Sequence, residues 1–290
     1  MLEFRDVTLA DKEWARELLS YSDFIGCEYT FGNNFIWKDA YDNKIARYKD
    51  FYLIKSSGAF FFPAGRGNLT EVIDVLKDYC KGQGEQLYFS SVPSCAIKTL
   101  SELYENELEI SADEDYFDYI YSAFDLATLS GKKYHSKRNY LNRLSKLNFE
   151  YEPITKENID ECFLLNERWC KDNDVENDVS KMQEQDALKK ALNNFFELDF
   201  KGGVLRIDGQ VEAFTIGEKL NSNTFNTHIE KANALIDGTY AMINYKFANE
   251  IVKEFEFINR EEDLGEENLR KAKQSYKPCF MEKKYQVKFI

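Results

Sequence analysis

Short apolar runs separated by turn formers dominate the first quarter of the chain. Positions 35–37, 45–48, 51–55 and 59–62 read as strands, with Asp42-Asn43 and Ser56-Ser57-Gly58 marking turns between them. Before this meander, Trp14, Leu18 and Leu19 form a helical stripe within 11–20. After Gly65-Arg66-Gly67 the pattern predicts a helix over 69–80, a strand over 86–90, a helix over 96–104 and a strand over 116–122. From 157 onward the order recurs. Helices over 157–171 and 181–197 precede strands at 203–207, 211–218 and 224–231, the first two joined by the hairpin signal Asp208-Gly209. A helix over 239–253, a strand over 254–259, a helix starting at Leu264 and a strand over 280–288 complete it.

Helices, antiparallel meander, helix, strand, helix, strand thus occurs twice, with almost no identity between the copies. That order is the one of an acyl-CoA N-acyltransferase (GNAT-like) unit. The expected fold is α+β, with two tandem GNAT-like domains over 1–130 and 131–290, each a mixed, mainly antiparallel sheet flanked by helices. Only four prolines in 290 residues leave little room for a flexible linker, so the domains should pack closely.

Composition supports a folded, strand-rich protein. Hydrophobic residues make up 43% and aromatics 15%, the latter carried by 23 Phe and 18 Tyr, which suits strands and excludes disorder. No apolar run approaches the roughly 18 residues that span a bilayer, and the first residues lack a secretory signal, so a soluble cytoplasmic protein without an integral membrane segment is expected. The six cysteines form no C-x-x-C pair and read as reduced, mostly buried thiols. Two histidines without closely spaced partners predict no metal site. Neither a phosphate-binding G-x-x-x-x-G-K-[ST] loop nor a G-x-S-x-G elbow is present.

Charge adds one feature. Against a net charge of −13, the stretch 126–149 holds no acid and six bases, Lys132, Lys133, Lys137, Arg138, Arg143 and Lys146, leaving −19 for the remainder. Arg143, Lys146 and Asn139 share a helical face. Such a face at a domain junction can neutralise phosphates of a tRNA acceptor end or of coenzyme A, or pair with acids elsewhere on the surface.

A second concentration of polar groups lies where the strand ending at Asn259 meets the next helix, the kind of corner where open α/β sheets place ligands. Asp263 and Glu266 match a capping box there. Asn259, Arg260 and Asp263 are candidates to hold an amino acid or acyl donor, with Arg270 and Lys273 of the following helix as further binding candidates; the same charges also suit the helix dipole. Alternation along 224–231 puts Asn226, His228 and Glu230 on one face.

Phe124-Asp125-Leu126, the run Leu129 to Asn139, Asn259 to Gly265 and Leu269 to Tyr276 resemble the phosphatidylglycerol lysyltransferase C-terminal domain family. Fem-type peptidyltransferases look similar in architecture. The resemblance implies tandem acetyltransferase-like domains and transfer of an aminoacyl group from aminoacyl-tRNA. The acceptor expected is an amine or hydroxyl of a small molecule or peptide. Likeness to acetyltransferases makes Glu230 the candidate general base, His228 the second choice, and Tyr276 the candidate proton donor to the leaving group. No cofactor is certain, with aminoacyl-tRNA or acetyl-CoA as donor. The loop 232–239 lacks the arginine and paired glycines used for the coenzyme A pyrophosphate, although N–H groups at Gly238 and Thr239 remain candidates. Two alternatives stand beside aminoacyl transfer: acetyl-CoA dependent N-acetylation, and a non-catalytic protein that binds an anion or small molecule.

Overall fold

The structure, a computed structural model, describes residues 2–173 and 175–290. Two mixed sheets carry the chain. The first runs in the order Arg5–Asp6, Lys44–Tyr48, Phe51–Ser56, Ala59–Phe61, Tyr88–Pro93, Lys284–Phe289, Leu108–Ala112, with Ala64–Gly65 also paired to Phe51–Ser56. The second runs Phe149–Pro153, Lys201–Ile207, Gln210–Lys219, Thr224–Ala232, Phe257–Asn259, Asp118–Ser122, Phe280–Glu282. Each sheet has a single parallel step, Ala59–Phe61 with Tyr88–Pro93 in one and Thr224–Ala232 with Phe257–Asn259 in the other. Parallel neighbours need a crossover, supplied by helices Leu69–Gly82 and Thr239–Ile251. The tandem GNAT-like α+β architecture is therefore present in both halves.

The two units exchange a strand, so the sheets do not divide at 130/131. Asp118–Ser122, from the first half, lies next to Phe257–Asn259 in the second sheet. Lys284–Phe289, from the end of the chain, takes the equivalent position beside Tyr88–Pro93 in the first. The last strand, expected as one element over 280–288, is accordingly two: Phe280–Glu282 stays in the second sheet and Lys283 alone carries the chain across.

Other expectations need correction. Phe35 and Ile36 belong to a helix, Phe31–Ile36, which Trp37 closes, because Thr30 caps it by accepting from the Asn33 N–H, and Phe31 and Phe35 then meet one turn apart toward the core. The edge strands Leu108–Ala112 and Phe149–Pro153 were not anticipated. Of the cysteines, only Cys27, Cys80 and Cys162 are buried. Helices Ile159–Asp172 and Val179–Asn193 lie between the units: one apolar cluster joins Tyr29, Phe31 and Tyr52 of the first to Leu188, Phe200 and Phe214 of the second. This shared core holds the sheets at a fixed relation.

Candidate functional site at a strand divergence

The parallel ladder between Thr224–Ala232 and Phe257–Asn259 is short. It pairs Thr224 with Phe257, Phe225 with Ile258 and Asn226 with Asn259, and the strands then part. At the same level the antiparallel ladder on the other side slips: Ile216 faces Ile229 while Gly217 faces Thr227, so His228 is a bulge without a partner. A bulge reverses the side to which later residues point. His228 thus stands with Ile229 on the side of Phe200, whereas Glu230 meets Asn244 of the crossover helix. The single face expected for Asn226, His228 and Glu230 is split.

Two polar clusters result, one on each side. On the first, Arg260 Nη2 lies 3.1 Å from both oxygens of Glu230, each side chain being 12% exposed. The guanidinium sits 4.8 Å from the Tyr276 ring centre, and Lys137 Nζ stands over the same ring at 3.7 Å. Arg260 Nη1 is buried without a hydrogen-bond partner among the described residues. Tyr276 is enclosed, and burial pushes its hydroxyl pKa well above the usual range. The corner thus brings Glu230, Arg260, Tyr276 and Lys137 together.

On the opposite side His228 is clamped between two carboxylates, Nε2 3.0 Å from Glu218 and Nδ1 2.8 Å from Glu261. Burial pulls the imidazole pKa down, but these two hydrogen bonds outweigh it and carry it to about 9. His228 is therefore already protonated near neutral pH and cannot take a proton from a substrate. Arg16 of the first unit reaches Glu218 at 3.3 Å, and Asn33 lies 3.5 Å from Glu261. Gly32 lets that helix close on Glu218 and Phe200, since no Cβ fits there. None of Glu218, Glu261 and Asn33 is distinguished by sequence spacing.

Arg260 and Glu261 point to opposite sides because the turn that follows Asn259 is rigidly held. Asn259 is fully buried and donates to the Ile25 carbonyl and to Asp118, both at 2.8 Å. Lys273 donates to the carbonyls of Arg260, Glu261 and Glu262. Asp263 accepts from Tyr119, from Arg270 at 2.8 and 2.7 Å, and from the Gly265 N–H at 3.0 Å. Burial opposes its ionisation, yet the Arg270 and Tyr119 hydrogen bonds hold its carboxyl down at about 2. The capping-box expectation fails here. Leu264 and Gly265 have φ of 52° and 78°, and the helix is Glu267–Gln274, capped at Glu266. Asn259, Asp263, Arg270 and Lys273 thus shape the turn that presents Arg260.

The basic helix spans His135–Leu144. Lys133 pairs with Asp125 at 2.7 Å, Arg143 with Asp237 at 2.5 Å, and Arg138 donates to the carbonyls of Leu129 and Gly131. Lys132 and Lys146 are exposed. This helix covers the start of helix Thr239–Ile251: a Cβ added at Gly238 would lie 2.8 Å from the Tyr140 carbonyl. The Thr239 N–H is bonded to Ile236 O, so Gly238 and Thr239 offer little to a pyrophosphate. Gly238→Ala, which adds strain at φ 98°, is expected to lower stability by about 1–3 kcal/mol in urea unfolding. An unchanged midpoint would show that the helix yields freely.

One further cluster has ligand-like spacing: Cys27 Sγ and carboxylate oxygens of Asp118 and Glu262 lie within 4.8 Å of one another. A cation is already supplied by the chain, with Lys284 Nζ 2.6 Å from Asp118, 3.1 Å from Glu28 and 3.2 Å from Glu262. Burial raises the Asp118 pKa well above the usual carboxylate range, while Lys284 brings Glu262 down to about 2.

Two GNAT-like units around a diverging parallel pair define an acyltransferase-type architecture. The chain belongs to the phosphatidylglycerol lysyltransferase C-terminal family, whose model matches residues 20–288. A conserved protein of unknown function from Bacteroides thetaiotaomicron is similar over 100% of both chains, with 38% identity and a TM-score of 0.95. L-PGS from Bacillus licheniformis shares the fold at 14% identity, covering 96% of this chain and 92% of its own, with a TM-score of 0.66. FemX does so at 9% identity, covering 99% and 97%, with a TM-score of 0.64. Family and fold indicate an acyltransferase-like function. Among the described residues no helix is long and apolar enough to cross a membrane.

Proposed function

We propose that this protein transfers an aminoacyl group from aminoacyl-tRNA to an amine or hydroxyl acceptor. The observation that carries this reading is the strand divergence with Arg260–Glu230 on one side and the His228 bulge on the other. In this reading the acyl group lies where the two strands cease to pair with each other, past Asn226 and Asn259. The covered Gly238 favours aminoacyl-tRNA over acetyl-CoA as donor. The acceptor nitrogen or oxygen attacks the ester carbon, the bond to the ribose oxygen breaks, and the acceptor's proton ends on the released ribose hydroxyl. Because the ester is already activated, positioning supplies much of the rate. Arg260 orients the reacting groups and holds the Glu230 carboxylate in place through two hydrogen bonds.

The test is transfer from a mixture of radiolabelled aminoacyl-tRNAs to added amines, hydroxyl compounds and lipid extract, with acetyl-CoA run in parallel. Labelled product from the tRNA pool is expected. Arg260→Gln should slow its formation about a hundredfold, through misplacement rather than loss of donor binding. Acetyl transfer without aminoacyl transfer would replace this reading.

A further inference from the structure

Of the six bases in the stretch 126–149, Lys137 and Arg138 are half-buried and the other four are exposed. The neighbours of Lys137 on the helix are committed: Arg138 to two backbone carbonyls and Arg143 to Asp237. Lys137 is half-buried over Tyr276 and, among the described residues, forms no ion pair with a carboxylate. The charged groups facing it are Arg260 and Glu230, and Glu230 has both oxygens engaged by Arg260 and one also by Asn244. A lysine placed to grip a phosphate profits from a permanent charge and open access. This one sits where a positive charge is disfavoured, first by burial and then by the Arg260 guanidinium, which bring its pKa down to about 8 against the opposing pull of Glu230.

We propose that Lys137 is the proton acceptor of aminoacyl transfer, its amine standing over the Tyr276 ring that the guanidinium of the Arg260–Glu230 pair also contacts. The assignment rests on the aminoacyl-transfer reading and adds the group that moves the proton. Both oxygens of Glu230 are engaged by Arg260, and His228 is already protonated and on the other side of the sheet. An amine that is substantially neutral near the working pH loses little in either direction of transfer. In the step, neutral Lys137 Nζ takes the proton from the attacking amine or hydroxyl as the new bond to the ester carbon forms. The ester bond to the ribose then breaks, and the Lys137 ammonium returns the proton to the departing ribose oxygen. Charge and atoms balance without a co-reactant. Tyr276 forms the apolar floor that keeps the amine desolvated.

Lys137→Arg separates the roles, because a guanidinium preserves cation–π contact and phosphate binding but cannot give up its proton. Single-turnover transfer is followed against pH for the wild type, Lys137→Arg and Lys137→Gln, with donor binding measured on each. Carbon-13 lysine NMR follows the side-chain titration independently of activity. The expected result is a wild-type rate that rises with pH to a midpoint near 8, matched by an NMR titration that both variants lack. Transfer should fall about a hundredfold in both variants with donor affinity nearly unchanged. Lys137→Arg with near wild-type rate overturns the assignment, as does a lysine titration above 10. A rate loss that parallels weakened donor binding also overturns it, in favour of a phosphate contact. A wild-type protein that transfers nothing overturns the functional reading itself, an outcome distinct from an active wild type with an active Lys137→Arg.

Discussion

Lys284→Met is expected to lower the unfolding free energy by about 3–5 kcal/mol, the usual cost of removing one partner from a buried ion cluster. Lys284 is 8% exposed and is the ammonium among Asp118, Glu28 and Glu262. Burial alone would lower its pKa, but these carboxylates and Cys27 hold it well above the ordinary lysine value. Without it, buried Glu28 loses its counter-charge and part-buried Glu262 keeps only the more distant Lys273, so the region must either loosen or take up protons. The location magnifies the consequence. Lys284 opens the strand that crosses into the first sheet, Glu28 comes from the first unit, and Asp118 opens the strand that crosses into the second. Urea unfolding by circular dichroism measures the loss. Combining Lys284→Met with Glu28→Gln and Glu262→Gln should recover most of it, since the stranded charges are then gone. A loss below about 1 kcal/mol for the single variant would show that water reaches the cluster and screens it.

That cluster also marks the limit of what could be read from sequence. The meanders, the crossover helices and the tandem order follow from local signals: alternation in 45–62 and 203–231, and the Asp208-Gly209 turn. Strand exchange has no local signal, because Asp118–Ser122 looks the same whichever sheet it joins; only tertiary partners such as Phe257–Asn259 decide it. The helix Phe31–Ile36 was misread because aromatic and β-branched residues favour strands on average, while here the Thr30 cap and packing of Phe31 and Phe35 prevailed.

The site was legible in part. The corner Asn259 to Asp263 stood out as a polar cluster, and Glu230 and Tyr276 lie beside Arg260, but the roles within the cluster depend on contacts with distant residues. Asp263 matched a cap by spacing, yet Tyr119 and Arg270 claim its carboxylate and the chain turns left-handed at Leu264 and Gly265 instead. Period-two alternation put His228 and Glu230 together, and one bulge separated them, a feature no residue between Thr224 and Ala232 announces. Lys137 was visible only as a member of a basic run. Its burial against Tyr276 comes from a residue about 140 positions away in the chain, just past the helix Glu267–Gln274, and only the fold brings the two together.

The protein should lose stability as pH rises from about 6.5 to 9, and His228→Gln should remove that slope. In the unfolded chain His228 has an ordinary pKa near 6.5, and in the folded protein it is about 9. Between these values the native state holds a proton that the unfolded state has released, so stability falls with rising pH; the contribution is complete below 6.5 and gone above 9. The shift corresponds to about 3 kcal/mol, and the fully enclosed imidazole leaves little room for solvent screening. Lys137 works in the opposite sense. Its folded pKa of about 8 lies below the unfolded value of 10.5, so the unfolded chain holds the extra proton and stability rises from 8 upward. The two slopes partly cancel as pH approaches and passes 8, so the lower part of the window 6.5–8 reports mainly His228. Glu218 and Glu261 bind His228 and in turn accept from Arg16 and Asn33 of the first unit, so deprotonation of His228 should also loosen the contact between the units. Urea midpoints at half-unit pH steps measure the effect, with Lys137→Gln as the partner variant to expose the upper limb. Equal slopes for the wild type and His228→Gln between 6.5 and 8 would mean that the imidazole is neutral between its two carboxylates. One of those carboxyl groups would then carry the proton instead, and His228 would regain its place among the groups able to accept one from a substrate.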